Sequence, residues 1–383
     1  MGYGETILAY LLFWLGLYTV SKIFRIERFG FKTGPLYLIY RTVRFNNVIG
    51  RMASKRRFWR IVWNIGISVG FGQILFITLT LVRNLFLLAV RSERATPITV
   101  LIPGITISWE TLPYILFSLA VLVASHELAH GIASIADGIP LKSSGMFFAA
   151  IMPGAFVEVD EDLLKKAEEI KQLRIFSAGS FANIALGALS ILLIINFAST
   201  ISPFFNPTPQ GVMVAGLTEG SAAERYGMRR WDVIYSISAT KIRGVDDLTS
   251  YMSGVKPGDV IIMGTDRGEV TLKTQPHPLN STKAMIGISP FNYYPPKILF
   301  LSKSTPYHLY MTWYWLNVLL ISVALINMLP LHPLDGGRYV HALLRIFKVR
   351  RSEGVRNAIS AFSLAILALN IALTFVNFGL RKL

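Results

Sequence analysis

The chain of 383 residues contains no cysteine and only six histidines. The absence of cysteine excludes disulfide bonds, thiolate zinc sites and cysteine nucleophiles. Any zinc ion must therefore be bound by histidine, aspartate or glutamate. Acidic residues are also few, since 22 aspartates and glutamates oppose 38 lysines and arginines and leave a formal net charge of +16. The set of candidate metal ligands is consequently short, and the positive charge needs a separate explanation.

Long polar stretches are equally scarce. Hydrophobic residues make up 52% of the sequence and the mean hydropathy is +0.49, values that fit an integral membrane protein better than a soluble domain. A run of about 20 apolar residues is long enough to cross a bilayer as a helix. Six hydrophobic segments reach or approach this length: 6–22, 61–90, 112–136, 176–198, 309–331 and 357–379.

The basic residues are concentrated beside these hydrophobic segments. Eleven lysines and arginines lie between Lys22 and Arg60, and six lie between Arg338 and Arg356. Loops that remain in the cytoplasm carry such an excess of positive charge, so the pattern predicts a lipid bilayer as the partner and no nucleic acid. The same rule predicts that the N-terminus and residues 199–305 lie outside, and that both basic loops lie inside.

The most informative motif lies within the third hydrophobic segment. The apolar run from Leu112 to Ile135 contains the sequence His126-Glu127-Leu-Ala-His130. Two imidazoles four residues apart share one face of a helix, and a glutamate beside the first completes the arrangement of two zinc ligands and a general base. Ionisable side chains at membrane depth are costly and usually functional. The alternative is a pair of structural histidines that bond between helices.

A catalytic zinc ion needs a third protein ligand and an open position for water. The best candidate is Asp335, in the sequence Asn327-Met-Leu-Pro-Leu-His332-Pro-Leu-Asp335-Gly-Gly that follows the fifth segment. The topology derived from charge places Asp335 on the cytoplasmic side, at a depth similar to that of the two histidines. Two alternatives remain open: Asp335 only caps or turns the chain, or His332 is the third ligand.

Between the fourth and fifth segments the composition changes to that of a small soluble α/β domain. Short alternating runs separated by glycine, aspartate and proline predict strands. The runs lie at 212–214, 233–237, 260–263 and 269–272. A polar helix is predicted at 245–253. The residues Gly220-Ser-Ala-Ala, Gly227-Met and Trp231-Asp-Val-Ile resemble those of a PDZ domain. The resemblance implies that the insertion binds a peptide segment by strand addition, and the alternative is a spacer that binds nothing.

The two membrane motifs, with the PDZ-like insertion between them, resemble the site-2 protease family of intramembrane zinc metalloproteases. The resemblance implies that Zn²⁺ is bound by His126, His130 and Asp335. It also implies that Glu127 is the general base of peptide-bond hydrolysis. The substrate would be a transmembrane segment of another protein, cut near its cytoplasmic end in regulated intramembrane proteolysis.

Other functions fit parts of the pattern. A catalytically silent, protease-like adaptor would bind partners through the PDZ-like domain, but such a protein need not keep all four site residues. A membrane protease of another family would take a distal glutamate as its third ligand, and no late hydrophobic segment carries a glutamate motif. A transporter is disfavoured because the two halves show no obvious internal repeat.

Further residues are candidate substrate contacts. Residues 145–159 predict two short strands around a Pro153-Gly154 turn, and the family resemblance implies a hairpin that dips toward the site. A free strand edge would hold an unwound substrate; the alternative is an ordinary surface hairpin. Asn183, in a stretch of small residues, is interpreted mainly as helix packing, with substrate contact as the alternative. Asn327 is a candidate donor to the substrate or to an oxyanion.

These features predict a multi-pass α-helical membrane protein, with about six transmembrane helices and one inserted soluble PDZ-like α/β domain. The expected organisation has four parts. They are N-terminal membrane helices at 1–200, the PDZ-like domain at 207–276, a linker at 277–305 and C-terminal membrane helices at 306–383.

Overall fold

A computed structural model of the protein describes residues 3–150, 152–278 and 280–379. The helices assigned in these ranges are α1 Tyr3–Ile23, α2 Arg44–Met52, α3 Arg56–Ala89, α4 Leu112–Ala136, α5 Glu161–Lys166, α6 Glu169–Ile195, α7 Phe197–Ile201, α8 Ala222–Arg225, α9 Val245–Ser253, α10 Thr305–Asn327, α11 Asp335–Ile346 and α12 Ser352–Phe378, with a 3-10 helix at Ile26–Phe29. The strands are β1 Phe31–Gly34, β2 Tyr37–Thr42, β3 Leu141–Ala149, β4 Met152–Val159, β5 Val212–Leu217, β6 Val233–Ile237, β7 Thr240–Lys241, β8 Val260–Thr265, β9 Gly268–Lys273, β10 Gln275–His277, β11 Asn280–Met285 and β12 Ile288–Asn292.

Five helices within the described ranges are long and apolar enough to cross a membrane: α3, α4, α6, α10 and α12. Each corresponds to a predicted hydrophobic segment. The remaining predicted segment, 6–22, lies in α1. Its apolar part, Tyr10–Ile23, is shorter than the five membrane-capable helices. Local signals set the ends of α4, because a proline occupies its first turn and Gly138, with a φ of +85°, follows its last residues.

The chain forms two compact units, Met1–Ser190 with Trp315–Leu383, and Ile191–Tyr314. The first unit unites the N-terminal and C-terminal membrane helices, which the sequence suggested as separate parts. Its apolar core draws on both ends of the chain and includes Trp63, Ile132, Ala133, Ala178, Met328, Tyr339 and Ala342. The Tyr339 hydroxyl of α11 donates a 2.8 Å hydrogen bond to the Ile67 carbonyl of α3.

The first unit also contains a four-stranded antiparallel sheet in the order β1-β2-β3-β4. The predicted hairpin is present as β3 and β4, but Pro153 and Gly154 lie inside β4, opposite Phe148 and Phe147, and not in the turn. Because β4 is the edge of the sheet, a residue without an N–H is tolerated there. A Cβ on Gly154 would lie 2.2 Å from Phe147 Cζ, so the Phe147 ring covers the glycine. The Pro153 side chain lies outside the described part of the structure.

The second unit contains the predicted α/β domain. Its main sheet has the order β12-β5-β6-β8-β9, with β7 paired to β6, and α9 has the predicted bounds. The core of this unit includes Val212, Val214, Ile234, Ile237, Leu248 and Met263. Helix α8 begins at an N-cap, because the Ser221 hydroxyl accepts a hydrogen bond from the Glu224 N–H. The predicted fold class is therefore confirmed: a multi-pass helical membrane protein with a PDZ-like insertion.

The segment 277–305 is not the plain linker that its proline-rich composition suggested. Strand β11 pairs with β10, and β12 pairs with β5 at the edge of the main sheet. Pro290 is compatible with a strand because it lies at this edge, where the register shifts between Ser289 and Pro290. The Asn292 side-chain oxygen accepts a 2.8 Å hydrogen bond from the Val245 N–H at the start of α9. Part of the expected linker thus completes the domain.

Candidate metal centre

Three side chains from distant parts of the first unit meet at one point. His126 and His130 lie on α4, and Asp335 is the first residue of α11. Asp335 Oδ2 is 3.2 Å from His126 Nε2 and 3.1 Å from His130 Nε2, and the two Nε2 atoms are 3.0 Å apart. These side chains, which the sequence predicts as ligands, form a group able to hold a metal ion.

The donor atoms fit a tetrahedral zinc site. With bonds of about 2.0–2.1 Å, neighbouring ligand atoms around tetrahedral zinc lie about 3.3 Å apart, close to the separations found here. Two imidazoles and one carboxylate leave the fourth position open, as a catalytic site requires. His332, the alternative third ligand, is exposed and lies outside this group, and its backbone N–H is bonded to the Ser360 hydroxyl.

The close approach of α6 leaves space for both imidazole rings. Gly179 is buried, and a Cβ at this position would lie 2.5 Å from His126 Cε1 and 2.6 Å from His130 Nε2. Real Cβ atoms essentially never make contacts this short, so glycine is required here unless the rings move. The stretch of small residues around Gly179 predicts helix packing in general, and it does not reveal that two histidine rings fill the space.

Two glycines allow α11 to begin against the end of α10. A Cβ on Gly336 would lie 2.3 Å from the Met328 carbonyl oxygen, and one on Gly337 would lie 2.7 Å from the His332 nitrogen. This backbone contact brings the first residue of α11, Asp335, to the histidines. The capping alternative for Asp335 is not supported, because the N-cap position is the residue before it and has no side-chain cap bond.

Each histidine has a hydrogen-bond partner on its second ring nitrogen. His130 Nδ1–H donates a 2.7 Å bond to the Ile175 carbonyl, which leaves the Nε2 lone pair facing the cluster. His126 Nδ1 lies 3.2 Å from the amide of buried Asn183, whose other end contacts the Ser125 hydroxyl at 3.1 Å. In this arrangement Asn183 Nδ2 faces His126 Nδ1, and Asn183 Oδ1 accepts from Ser125. When His126 Nε2 binds a metal, Nδ1 carries the hydrogen, so the Asn183 amide must turn over and present its oxygen to Nδ1 and its nitrogen to Ser125.

The predicted base faces the same space as the predicted ligands. A cavity of about 580 Å³ is lined by His126, Glu127, His130, Val157, Asn327 and Asp335, among others. Glu127 Oε2 accepts a 3.0 Å hydrogen bond from the Val157 N–H of β4, so the edge strand orients this carboxylate. Asn327 Nδ2 is 3.3 Å from His126 Nε2.

The remaining candidate contacts lie farther from the chemistry. Asn183 stands behind His126 and, like Gly154, is not among the described residues that line the cavity. The cavity instead meets the other end of β4, at Val157 to Val159. Sequence reasoning missed the Val157 N–H and the Ile175 carbonyl because backbone groups leave no signature in residue type.

A two-histidine, one-carboxylate cluster with an adjacent glutamate, built inside a bundle of membrane-capable helices, defines a membrane-embedded metallohydrolase. Comparison with known proteins narrows this class. The sequence model of peptidase family M50 matches residues 114–370, more than half of the chain. The chain belongs to peptidase family M50. It is an intramembrane metalloprotease, and its cofactor is zinc.

Relatives occur in archaea, plants and cyanobacteria. An uncharacterised protein of Methanocaldococcus jannaschii is 28% identical over 90% of this chain and 86% of its own length. A membrane-bound transcription factor site-2 protease homologue of Arabidopsis thaliana is 28% identical over 57% of this chain and 37% of its own length. A Synechocystis protein provisionally named a zinc metalloprotease is 28% identical over 40% of this chain and 49% of its own.

Solved PDZ domains are similar to about a fifth of the chain. The PDZ domain of an SdrC-like protein from Listeria monocytogenes is 19% identical, with a TM-score of 0.20, and the match covers 22% of this chain and 90% of that domain. A PDZ domain from Listeria innocua is 21% identical with a TM-score of 0.19, over 21% of this chain and 92% of that domain.

Proposed function

We propose that the protein is a zinc endopeptidase that hydrolyses a peptide bond within or next to a transmembrane segment of a membrane-anchored protein. The observation that carries the proposal is the convergence of His126, His130 and Asp335 with Glu127 in one cavity among membrane-capable helices. A silent adaptor would need none of these four side chains at a common point, so the convergence favours an enzyme.

The residues of the cavity suit a general-base mechanism. Zinc held by His126, His130 and Asp335 would polarise the scissile carbonyl and activate the attacking water. Glu127 takes a proton from that water as its oxygen adds to the carbonyl carbon, and delivers the proton to the amine nitrogen as the C–N bond breaks. The Val157 N–H keeps the Glu127 carboxylate in place, and the Asn327 amide is a candidate donor to the substrate oxygen.

The edge strand β4 is the proposed docking site for the substrate backbone. A helical substrate must be unwound before its peptide bond can be attacked, and an extended segment can then pair with a free strand edge. The proposal is supported by the edge position of β4 and by its contact with the predicted base through Val157. The N–H of Ala155, two residues earlier, faces the same side by the period of a strand.

The proposed orientation places the metal centre toward the cytoplasm and the PDZ-like domain outside, where this domain would bind a peptide segment of the substrate or a partner. The absence of cysteine allows a direct test, since single cysteines at Lys348 and Lys283 can be labelled with a membrane-impermeant maleimide. In intact cells we expect labelling at Lys283→Cys and none at Lys348→Cys until the cells are opened. The reverse pattern would contradict the orientation.

Cleavage is tested with the purified protein in liposomes and fluorophore-labelled single-span peptides whose spans contain helix-weakening glycine, proline or asparagine. We expect zinc-dependent fragments from the wild type and none from Glu127→Gln, with mass spectrometry locating the cut within or next to the span. Equal cleavage by the two proteins would overturn the proposal, because the base would then have no role.

A further inference from the structure

A second cavity adjoins the cavity of the metal centre. It encloses about 470 Å³ and lies against α11 and the start of α12. Four residues line both cavities: Glu161, Leu164, Phe176 and Arg338. Because the two spaces share these walls, they are adjacent, and the second lies between the cavity of the metal ligands and the basic segment that joins α11 to α12. We call the second cavity the basic groove.

The charges of the basic groove are unbalanced. Its walls carry four cationic side chains and two carboxylates: Lys165, Arg338, Arg345, Arg356, Glu161 and Glu353. Two of the cations are already paired, Lys165 with a carboxylate at 3.6 Å and Arg345 with one at 2.7 Å. Arg338 and Arg356 form no ion pair with an acidic residue in the part of the chain that the structure describes. The Arg356 guanidinium donates hydrogen bonds of 2.9 and 3.2 Å to the neutral Asn357 side chain, which leaves its charge uncompensated. The charges of both guanidinium groups can therefore attract an anionic ligand.

The pKa of the neighbouring His341 is lowered by the positive charges of the groove. His341 also lines the basic groove. Burial lowers the pKa of His341 below 6.5, and repulsion from Arg356 and Arg345 lowers it further, against the weaker opposing effect of Glu353. His341 is therefore neutral near pH 7, and the positive charge of the groove comes from Lys165 and the three arginines.

We propose that the basic groove binds acidic side chains of the substrate polypeptide that flank the scissile bond, with Arg338 and Arg356 as specificity-determining residues. This inference rests on the proposed endopeptidase function. A polypeptide is favoured over a small anion or a lipid headgroup because the groove adjoins the cavity in which the peptide bond would be cut and shares four wall residues with it. Arg338, one helical turn after Asp335, lies at the junction of the two spaces.

The proposed preference would exclude most membrane proteins. Cytoplasmic flanks of transmembrane segments are usually rich in lysine and arginine. Such flanks would be repelled by Arg338 and Arg356, whereas an acidic flank would be attracted. The groove would thus select substrates by a charge pattern opposite to the common one.

The test uses three single-span peptides with the same span, which differ at three adjacent positions of the proposed cytoplasmic flank, where they carry Glu, Gln or Lys. For the wild-type protein in neutral-lipid vesicles, we expect kcat/KM to fall by about tenfold from the Glu to the Lys peptide, and the difference to shrink at high salt. Arg356→Glu, which leaves three cations and three carboxylates on the walls, should abolish the order. Arg350→Glu, the same charge change on an exposed residue outside the groove, should preserve it.

Other outcomes separate the possible errors. Equal rates for the three peptides, or equal behaviour of the Arg356→Glu and Arg350→Glu proteins, would overturn the inference while cleavage itself upholds the endopeptidase. If even the Gln peptide is not hydrolysed, the proposed function is contradicted. The inference about the groove is then tested by the binding of the three peptides to the Glu127→Gln protein, where the Glu peptide must bind most tightly and the Lys peptide most weakly. If Arg356→Glu alters only binding to phosphatidylglycerol vesicles, the groove holds lipid headgroups and the inference is wrong.

Discussion

Buried carboxylates in the two units have different neighbours. In the second unit, which contains the PDZ-like domain and is called here the PDZ-like unit, Asp232 accepts hydrogen bonds from Arg267 Nε and Nη2 at 2.5 and 2.6 Å, and from the Arg229 N–H at 2.7 Å. In the first unit, which contains the membrane-capable helices and is called here the membrane unit, the only ion-pair partners of Asp335 among the described residues are two imidazoles. Both carboxylates are largely removed from water, with 3% and 15% of their side chains exposed. Asp232 is paired with arginine, which is a permanent cation, whereas Asp335 faces only imidazoles, which are cationic only when they are protonated.

A third aspartate shows that this difference does not come from the membrane unit as such. Asp137, at the end of the same helix as the two histidines, is fully buried and accepts bonds from Arg174 at 2.8 Å and Arg60 at 3.2 Å. A buried carboxylate is stable only when a cation compensates for its lost hydration. Asp335 has two imidazoles where Asp137 and Asp232 have arginine, which is the environment of a carboxylate that binds a metal ion.

Replacement of the base separates the chemistry from the metal site, and we expect it to have the largest effect. Glu127→Gln removes proton transfer but leaves the three ligands unchanged, so hydrolysis should fall by about 10²- to 10⁴-fold. The measurement is kcat/KM on a single-span peptide, with zinc content as the control. A variant that loses its zinc would contradict the division of roles between Glu127 and the ligands.

A methyl group placed against the imidazoles should disturb the ligands without changing any charge. Gly179→Ala would put Cβ within 2.5–2.6 Å of both rings, and a displacement of about 1 Å at a reaction centre costs about a hundredfold in rate. The matched control is Gly72→Ala, where the added carbon meets nothing within 4 Å. We expect full activity and zinc content in the control, and equal effects of the two changes would refute the steric explanation.

The hydrogen bond behind His126 tests the direction of proton donation. Asn183→Leu removes the acceptor and should weaken zinc binding by about 10- to 100-fold. The carboxylate of Asn183→Asp has two oxygens, which can accept from Nδ1–H and from the Ser125 hydroxyl, so we expect this variant to retain zinc. Competition with a chelator of known affinity measures both values. Loss of zinc in the Asp variant, with retention in the Leu variant, would mean that His126 uses the other tautomer.

The aspartate with a resident cation should affect stability and leave zinc unchanged. Burial alone would raise the pKa of Asp232, but hydrogen bonds from Arg267 and from the Arg229 N–H outweigh it and hold this pKa below 3.8. The carboxylate therefore stabilises the fold above pH 3.8, and this contribution is lost as the pH falls through the lower, folded-state pKa. Asp232→Asn should lower hydrogen-exchange protection of β5 and β6 by about 2 kcal/mol near pH 7. Unchanged protection would show that the ion pair contributes nothing.

Much of the site could be predicted because its signals are local. The four-residue spacing of His126 and His130 fixes a common helix face, and the apolar run around them fixes a membrane helix. The pairing of these histidines with Asp335, 205 residues after His130, followed from a charge-derived estimate of depth. The helix at 245–253 was predicted with its exact bounds, because its apolar residues recur with the period of a helix.

The parts that were missed depend on distant partners. Strand β2, inside the first basic loop, pairs with β3 about a hundred residues later, through contacts such as Arg41 with Gly145. Strand β12 was hidden because its proline indicated a linker, although an edge position tolerates proline. Gly179 contributes by leaving room for the two imidazole rings, and Ile175 contributes a backbone carbonyl that accepts a hydrogen bond from His130. Residue type alone specifies neither role.

Zinc content tests most directly whether Asp335 binds a metal ion while Asp232 only forms an ion pair. The measurement is elemental analysis of the purified wild type beside Asp335→Ala, His332→Ala and Asp232→Ala. We expect about one zinc ion per chain in the wild type, His332→Ala and Asp232→Ala proteins, and loss of zinc from Asp335→Ala alone. Zinc that persists in Asp335→Ala, or that disappears with His332→Ala, would contradict the assignment of Asp335 as the third ligand.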